Sequence, residues 1–171
     1  TQGSHYAVFA ADVAGHGVSS ALYTMQIRAL WEDLRPEFDH PARVFTAMNR
    51  RVRAIAPEEG YFATAVYLVV DAASGKISYA RAGHPAPMIL RAEGMQELLD
   101  RGDPALGMVD DHVYQEYHTH LEKGEHLLVY TDGAVEIDDM RQEQLGIEGL
   151  QRLVNESLAQ GVPDLEALQE K

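Results

Sequence analysis

YFATAVYLVVDAASGKISYARA, residues 61–82, reads as two β-strands joined by a turn. Tyr61 to Val70 is nearly continuous in apolar and β-forming side chains, which predicts a strand. Asp71 to Lys76 supplies the Asp, Ser and Gly of a turn, and Ile77 to Ala82 returns as the second strand. Upstream, Tyr6 to Ala11 is a short apolar run that stops at Asp12, and it predicts a buried strand. Gly15 and Gly17 break that pattern. From Val18 to Leu34 the spacing turns helical, with one apolar stripe at Val18, Leu22, Met25 and Ala29. A second stripe runs through Ile27, Leu30, Trp31 and Leu34. Two stripes predict a helix packed on more than one side.

Pro41 suits the first turn of a second helix, marked by Val44, Phe45, Met48, Val52 and Ile55 and ending before Pro57. Its outer face carries Arg43, Arg50, Arg51 and Arg53, which read as a solvated face or as a docking patch for an acidic partner. Downstream of the hairpin, strands are predicted at Met88 to Leu90, Met95 to Leu99, Val113 to His120 and Glu125 to Thr131. The tail, from Ile147 to Ala159 and from Pro163 to Lys171, reads as helical. Strand, two helices, a run of strands and then helices predict an α+β fold with a largely antiparallel sheet arrangement. No repeated βαβ unit is present.

The 171 residues suit one domain, and 46% hydrophobic with 24% charged residues is ordinary for a soluble globular chain. Lys and Arg total 14 against 27 Asp and Glu, a net charge of −13. So acidic a chain is repelled by nucleic acid and by anionic membrane surfaces. Neither is expected as a partner. A phosphoprotein substrate would need that repulsion offset, and a divalent cation is one way. There is no cysteine, which excludes disulfides, thiolate zinc sites and cysteine-dependent phosphatase chemistry. That absence fits a cytoplasmic location. No apolar run is long enough to suggest a membrane span. Thr1 to His5, with no initiator Met, read as the interior of a longer protein.

The recurring feature is an apolar strand that ends in an aspartate beside small residues. Asp12 opens Asp12-Val13-Ala14-Gly15-His16-Gly17, and Asp132 opens Asp132-Gly133-Ala134. Such a carboxylate must be paired, hydrogen-bonded or bound to a cation. Capping of a turn or of the next helix is the structural alternative. Carboxylate and carbonyl oxygens are hard donors that suit Mg²⁺ or Mn²⁺. A zinc site is not expected, because His118 and His120 have no evident third ligand. His16, between two glycines, reads either as a proton donor or phosphate contact, or as a loop residue capping the helix. Arg81-Ala82-Gly83-His84-Pro85-Ala86-Pro87 reads as a structural turn. Asp110-Asp111 and Asp138-Asp139 lie in polar surroundings and read as solvated.

Asp12-Val13-Ala14-Gly15-His16-Gly17, Ala82-Gly83-His84-Pro85-Ala86-Pro87 and Tyr130-Thr131-Asp132-Gly133-Ala134-Val135-Glu136, in this order and spacing, resemble the SpoIIE-type branch of the bacterial metal-dependent Ser/Thr protein phosphatases (type 2C, or PPM). The resemblance covers nearly the whole chain. It implies a fold of two packed, mainly antiparallel sheets flanked by helices. It also implies two Mn²⁺ or Mg²⁺ ions, with Asp12 bridging them, Val13 contributing its carbonyl and Asp132 a further carboxylate. The implied reaction is in-line attack by a metal-bridging hydroxide on a phosphoserine or phosphothreonine. Family members that use a general-acid His carry it directly after the Asp-Gly pair. His16, four residues after Asp12, is therefore only a candidate for that catalytic role.

The resemblance further implies a phosphorylated regulatory substrate, such as an anti-anti-sigma-type factor, fusion to a sensor or receiver domain, and a homodimer as one possible state. It places a Gly-Asp strand before residue 1, and an acidic pair leading into a last strand after residue 171. Residues 1–171 are accordingly expected to be one phosphatase domain within a longer multidomain protein, with terminal strands and at least one metal-ligating Asp outside them. The alternative is an inactive phosphatase-like adaptor that binds a protein partner.

Overall fold

The structure is a computed structural model that describes residues 4–34, 38–56, 60–91, 94–98, 102–137 and 144–159. The chain forms two compact units, Thr1–Val129 and Tyr130–Lys171. In the first unit the order is β1 (His5–Val13), α1 (Val18–Asp33), α2 (Pro41–Ile55), β2 (Ala63–Asp71), β3 (Lys76–Ala82), β4 (Met88–Arg91), β5 (Gly94–Glu97), β6 (Tyr117–His120) and β7 (His126–Leu128). The second contains a 3-10 turn, Asp132–Ala134, and α3 (Gly146–Ala159).

Two antiparallel sheets, ordered β1-β2-β3-β6 and β5-β4-β7, make up the first unit with its two helices. The continuous apolar run of the hairpin is explained by β2, which is buried on both faces. Ala63, Ala65, Tyr67 and Val69 join the core under the helices, while Val66 and Leu68 join Ile77, Tyr79 and Ile89 between the sheets. Asp71 accepts hydrogen bonds from Ser4, Ala73 and Ser74 at the mouth of the turn into β3. Those donors, Ser74 first, push its carboxyl down to about 2.

Proline opens α2 at its first position, where its missing N–H costs no hydrogen bond. Phe9 of β1 fastens both helices to the sheet. Its ring stacks on Trp31 at 5.4 Å and meets Phe45 and Tyr67 edge-on. Tyr23 donates to the Val52 carbonyl at 3.1 Å and ties α1 to α2. Tyr67 donates to the Phe38 carbonyl, and burial pushes its phenol up to about 12. Asn49 of α2 is buried. Its Oδ1 accepts from the Gly107 N–H at 2.7 Å, and its Nδ2 donates to the Val109 carbonyl at 2.8 Å.

Several elements differ from the sequence expectation. Only one stripe of α1 is covered. Ile27 and Leu34 are buried, but Val18, Leu22 and Met25 are 78%, 61% and 65% exposed. Helical spacing cannot tell a face that packs from one that meets solvent. The strand expected over 113–120 is confined to β6, because the Tyr114 ring packs under α2 and its hydroxyl donates to the Pro104 carbonyl at 2.9 Å. The strand expected over 125–131 ends at Leu128. The expected helix over 163–171 lies outside the described residues.

Ile27→Ala should destabilise the protein by about 2–5 kcal/mol, whereas Leu22→Ala should change stability by no more than about 0.5 kcal/mol; urea unfolding measures both. The Asp71 carboxyl has a folded pKa depressed from 3.8 to about 2. Its contribution to stability is therefore full above the unfolded value and lost as pH falls through the folded one. Asp71→Asn should lower the urea midpoint at neutral pH, and the difference from the parent should shrink towards pH 2.

Candidate functional site

Asp12 and Val13 are the last two residues of β1, so the strand runs through the aspartate and does not stop before it. Phe9, Ala11 and Val13 pack on the helix-side core, and Ala10 on the cluster between the sheets. Alternation puts Asp12 on the face shared with Ala10. It is exposed there, and its carboxylate has no hydrogen bond or ion pair among the described residues. Ala63, opposite Val13, exchanges both backbone hydrogen bonds with Leu106, at 2.8 and 3.0 Å. Val13 and Ala63 are thus a non-hydrogen-bonded pair, and the Val13 carbonyl turns away from β2.

The chain leaves β1 through Gly15 and Gly17, with φ of 98° and 88°. This left-handed backbone suits glycine and delivers the chain into α1, whose N-cap is Gly17. His16 stands exposed between them. Its carbonyl accepts from Ser20 Oγ at 3.4 Å, and no side chain caps the helix, so a capping role for the ring is not what places it.

The Gly-His-Pro turn lies beside the first motif. Thr64 is the cross-strand partner of Asp12, and Thr64 Oγ1 shares a 3.0 Å hydrogen bond with His84 Nδ1. The His84 ring is 1% exposed, and Arg81 Nη1 donates to its carbonyl at 2.8 Å. Twenty residues separate Thr64 from His84, and no periodicity or local motif connects them. The sequence shows only a Gly-His-Pro stretch that reads as a structural turn.

Asp132 belongs to the second unit and opens the 3-10 turn, four residues beyond Leu128, where the strand expected to lead into it ends. Its Oδ1 accepts from the Gly133 N–H at 2.9 Å, and its carbonyl accepts from Val135 and Glu136. The carboxylate is exposed, with one of its oxygens engaged only by this local bond.

Among the described residues no group of three or more His, Asp or Glu side chains is arranged to hold a metal ion. His118 and His120 are hydrogen-bonded to Ser78 Oγ and the Ser74 carbonyl. Asp110 and Asp111 are exposed and pair with Arg53 and Arg50, and Arg51 pairs with Asp33, as solvated faces do. Asp138 and Asp139 lie outside the described residues. The donors that Asp12, Val13 and Asp132 offer are all oxygens, and they fit Mg²⁺ or Mn²⁺ in chemistry.

The fold is that of the PP2C-type phosphatases. The SiaA PP2C domain of Pseudomonas aeruginosa matches it with a TM-score of 0.77 at 22% identity, over 95% of this chain and 69% of that one. RsbX, solved in complex with magnesium, matches with a TM-score of 0.64 at 18% identity, over 95% of this chain and 77% of that one. The profile of the family described as Stage II sporulation protein E (SpoIIE) matches residues 2–170. The chain belongs to the SpoIIE family. Phosphoserine phosphatase RsbP of Bacillus subtilis is 33% identical over 134 residues, which cover 77% of this chain and 33% of that protein. The chain spans less than half the length of each curated relative it matches.

Gly17→Ala should cost about 1–3 kcal/mol of stability, because alanine is strained at this positive φ although its methyl would meet nothing. Chemical denaturation of the variant checks this.

Proposed function

We propose that residues 1–171 are a phosphatase domain that removes phosphate from phosphoserine or phosphothreonine of a regulatory protein with the help of Mn²⁺ or Mg²⁺. The observation that carries the reading is the unengaged Asp12 carboxylate at the end of β1, next to a Val13 carbonyl turned away from its sheet partner. A family match over residues 2–170 and the name of the relative RsbP support it, as does the magnesium in RsbX.

In this reading Asp12, the Val13 carbonyl and Asp132 are ligands. Divalent cations supply neutralisation of charge on the phosphoryl group and a more acidic bound water. The chain's own contribution is to hold oxygen donors at fixed backbone positions. The β1–β2 pairing fixes Asp12 and Val13, and the local turn fixes Asp132. His16, exposed on the Gly15–Gly17 loop, is the candidate to contact the phosphoryl group or to return a proton to the departing serine oxygen. The net charge of −13 disfavours unassisted approach of a phosphoprotein, and a bound divalent cation is one way to offset that repulsion. The substrate class is an anti-anti-sigma-type regulator, in a cytoplasmic protein with fused sensor or receiver domains and a homodimer as one possible assembly. No helix among the described residues is long and apolar enough to cross a membrane.

Full-length protein should release phosphate from a phosphoserine protein only when Mn²⁺ or Mg²⁺ is added. Asp12→Ala and Asp132→Ala should each lower kcat/KM by at least about 100-fold, a loss of about 3 kcal/mol of transition-state stabilisation. Activity that survives either substitution would sink the metal reading. Absence of manganese binding at millimolar concentration in calorimetry would favour a protein-binding adaptor instead.

A further inference from the structure

The Gly83-His84-Pro85 turn has no role in the ligand set proposed above, yet its surroundings are built to bury one polar ring. Gly83 has a φ of 65°, its N–H donates to the Asp103 carbonyl at 2.8 Å, and a Cβ at this position would lie 3.2 Å from Ala105. Arg81 fixes the next carbonyl, that of His84, at 2.8 Å. The backbone is therefore tied on both sides of a histidine whose side chain is almost fully enclosed. Burying an imidazole costs free energy unless its nitrogens are hydrogen-bonded, and a core leucine would avoid that cost. What the imidazole provides is its 3.0 Å hydrogen bond to Thr64 Oγ1.

Thr64 lies directly opposite Asp12 in the β1–β2 register. Directly opposed residues of an antiparallel pair project from the same face. A threonine hydroxyl carries one proton and two lone pairs, and it rotates to suit its partners. A donor at Nδ1 occupies a lone pair and leaves the proton to point elsewhere. We propose that His84 is a positioning residue for Asp12, acting through Thr64: the Nδ1–H donates to Thr64 Oγ1, and the hydroxyl proton is left to turn across the strand pair and meet the Asp12 carboxylate when a cation draws that carboxylate into place. One carboxylate oxygen is then steadied while the other faces the cation. The Thr64 hydroxyl carries no charge, so it acts by orienting the ligand and not by adding charge. Partners of this kind, one step removed from a metal, are a recurrent way to set its affinity. The inference rests on the proposed role of Asp12 as a cation ligand.

Thr64→Val, His84→Ala, His84→Asn and the Thr64→Val/His84→Ala double variant of the full-length protein test it by calorimetric titration with Mn²⁺, alongside kcat/KM and urea unfolding of the metal-free forms. Thr64→Val and His84→Ala should each weaken manganese binding about 10–100-fold. His84→Asn should restore most of the loss, because its amide N–H takes the place of Nδ1–H. The double variant should bind no more weakly than either single one, as members of one chain of contacts do. The metal-free urea midpoint of Thr64→Val should fall, because the buried His84 Nδ1 loses its partner, with the protein still folded under the titration conditions. Should His84→Ala fail to fold, Thr64→Val and His84→Asn still decide. A Thr64→Val protein that binds manganese as tightly as the parent overturns the inference, as does a double variant whose loss is the sum of the singles. If the parent binds manganese and the variants match it, the inference alone falls. If the parent binds none, the assignment of Asp12 falls and takes the inference with it.

Discussion

The pairing of β1 with β2, nine residues in register from His5↔Asp71 to Val13↔Ala63, is the constraint from which the rest of the first unit follows. A slip of one residue would carry Asp12 to the helix side and Phe9 to the inter-sheet side. The aromatic cluster of Phe9, Trp31, Phe45 and Tyr67 opposes that slip, because it forms only when Phe9 faces the helices. Packing on one face of the sheet therefore fixes which chemical groups stand on the other. It also fixes backbone direction. The Val13 carbonyl turns outward because its partner Ala63 is committed to Leu106.

Much of this architecture is legible in the sequence. The hairpin of β2 and β3 is written in a continuous apolar run, an Asp-Ser-Gly turn and a returning strand. Helix α2 shows a single apolar stripe and a proline at its first position, and both are used as expected. Local chemistry decides such elements, and local chemistry is what a sequence displays. The two sheets and the family assignment also follow, because three short motifs in order are far more specific than any one of them.

What is not legible depends on distant neighbours. Helix α1 carries two apolar stripes of similar strength, and only the fold determines that Ile27 goes inward while Leu22 faces solvent. Residues 113–116 have strand-like composition, yet Tyr114 is taken up as a plug beneath α2 and pairing begins only at Tyr117. Asp132 follows an apolar run, but the run leaves the sheet at Leu128 and the aspartate opens a tight turn. The bond between Thr64 and His84 joins two motifs that read separately as a strand and a turn. Its existence depends on the register of β2 against β1 and β3, which no local pattern encodes.

Asn49 shows how a long connection can be ordered without strands of its own. Its amide replaces the backbone partners that Gly107 and Val109 would find in a sheet, and it does so from the interior of a helix. The segment from Gly102 to Glu116 therefore shares the fate of α2. Loosening of that helix frees the loop in the same event, so the two belong to one cooperative unit although nearly sixty residues lie between them. Substitutions that strengthen α2 by helix propensity alone would slow amide exchange at Gly107, and the loop would gain order without any change in its own sequence.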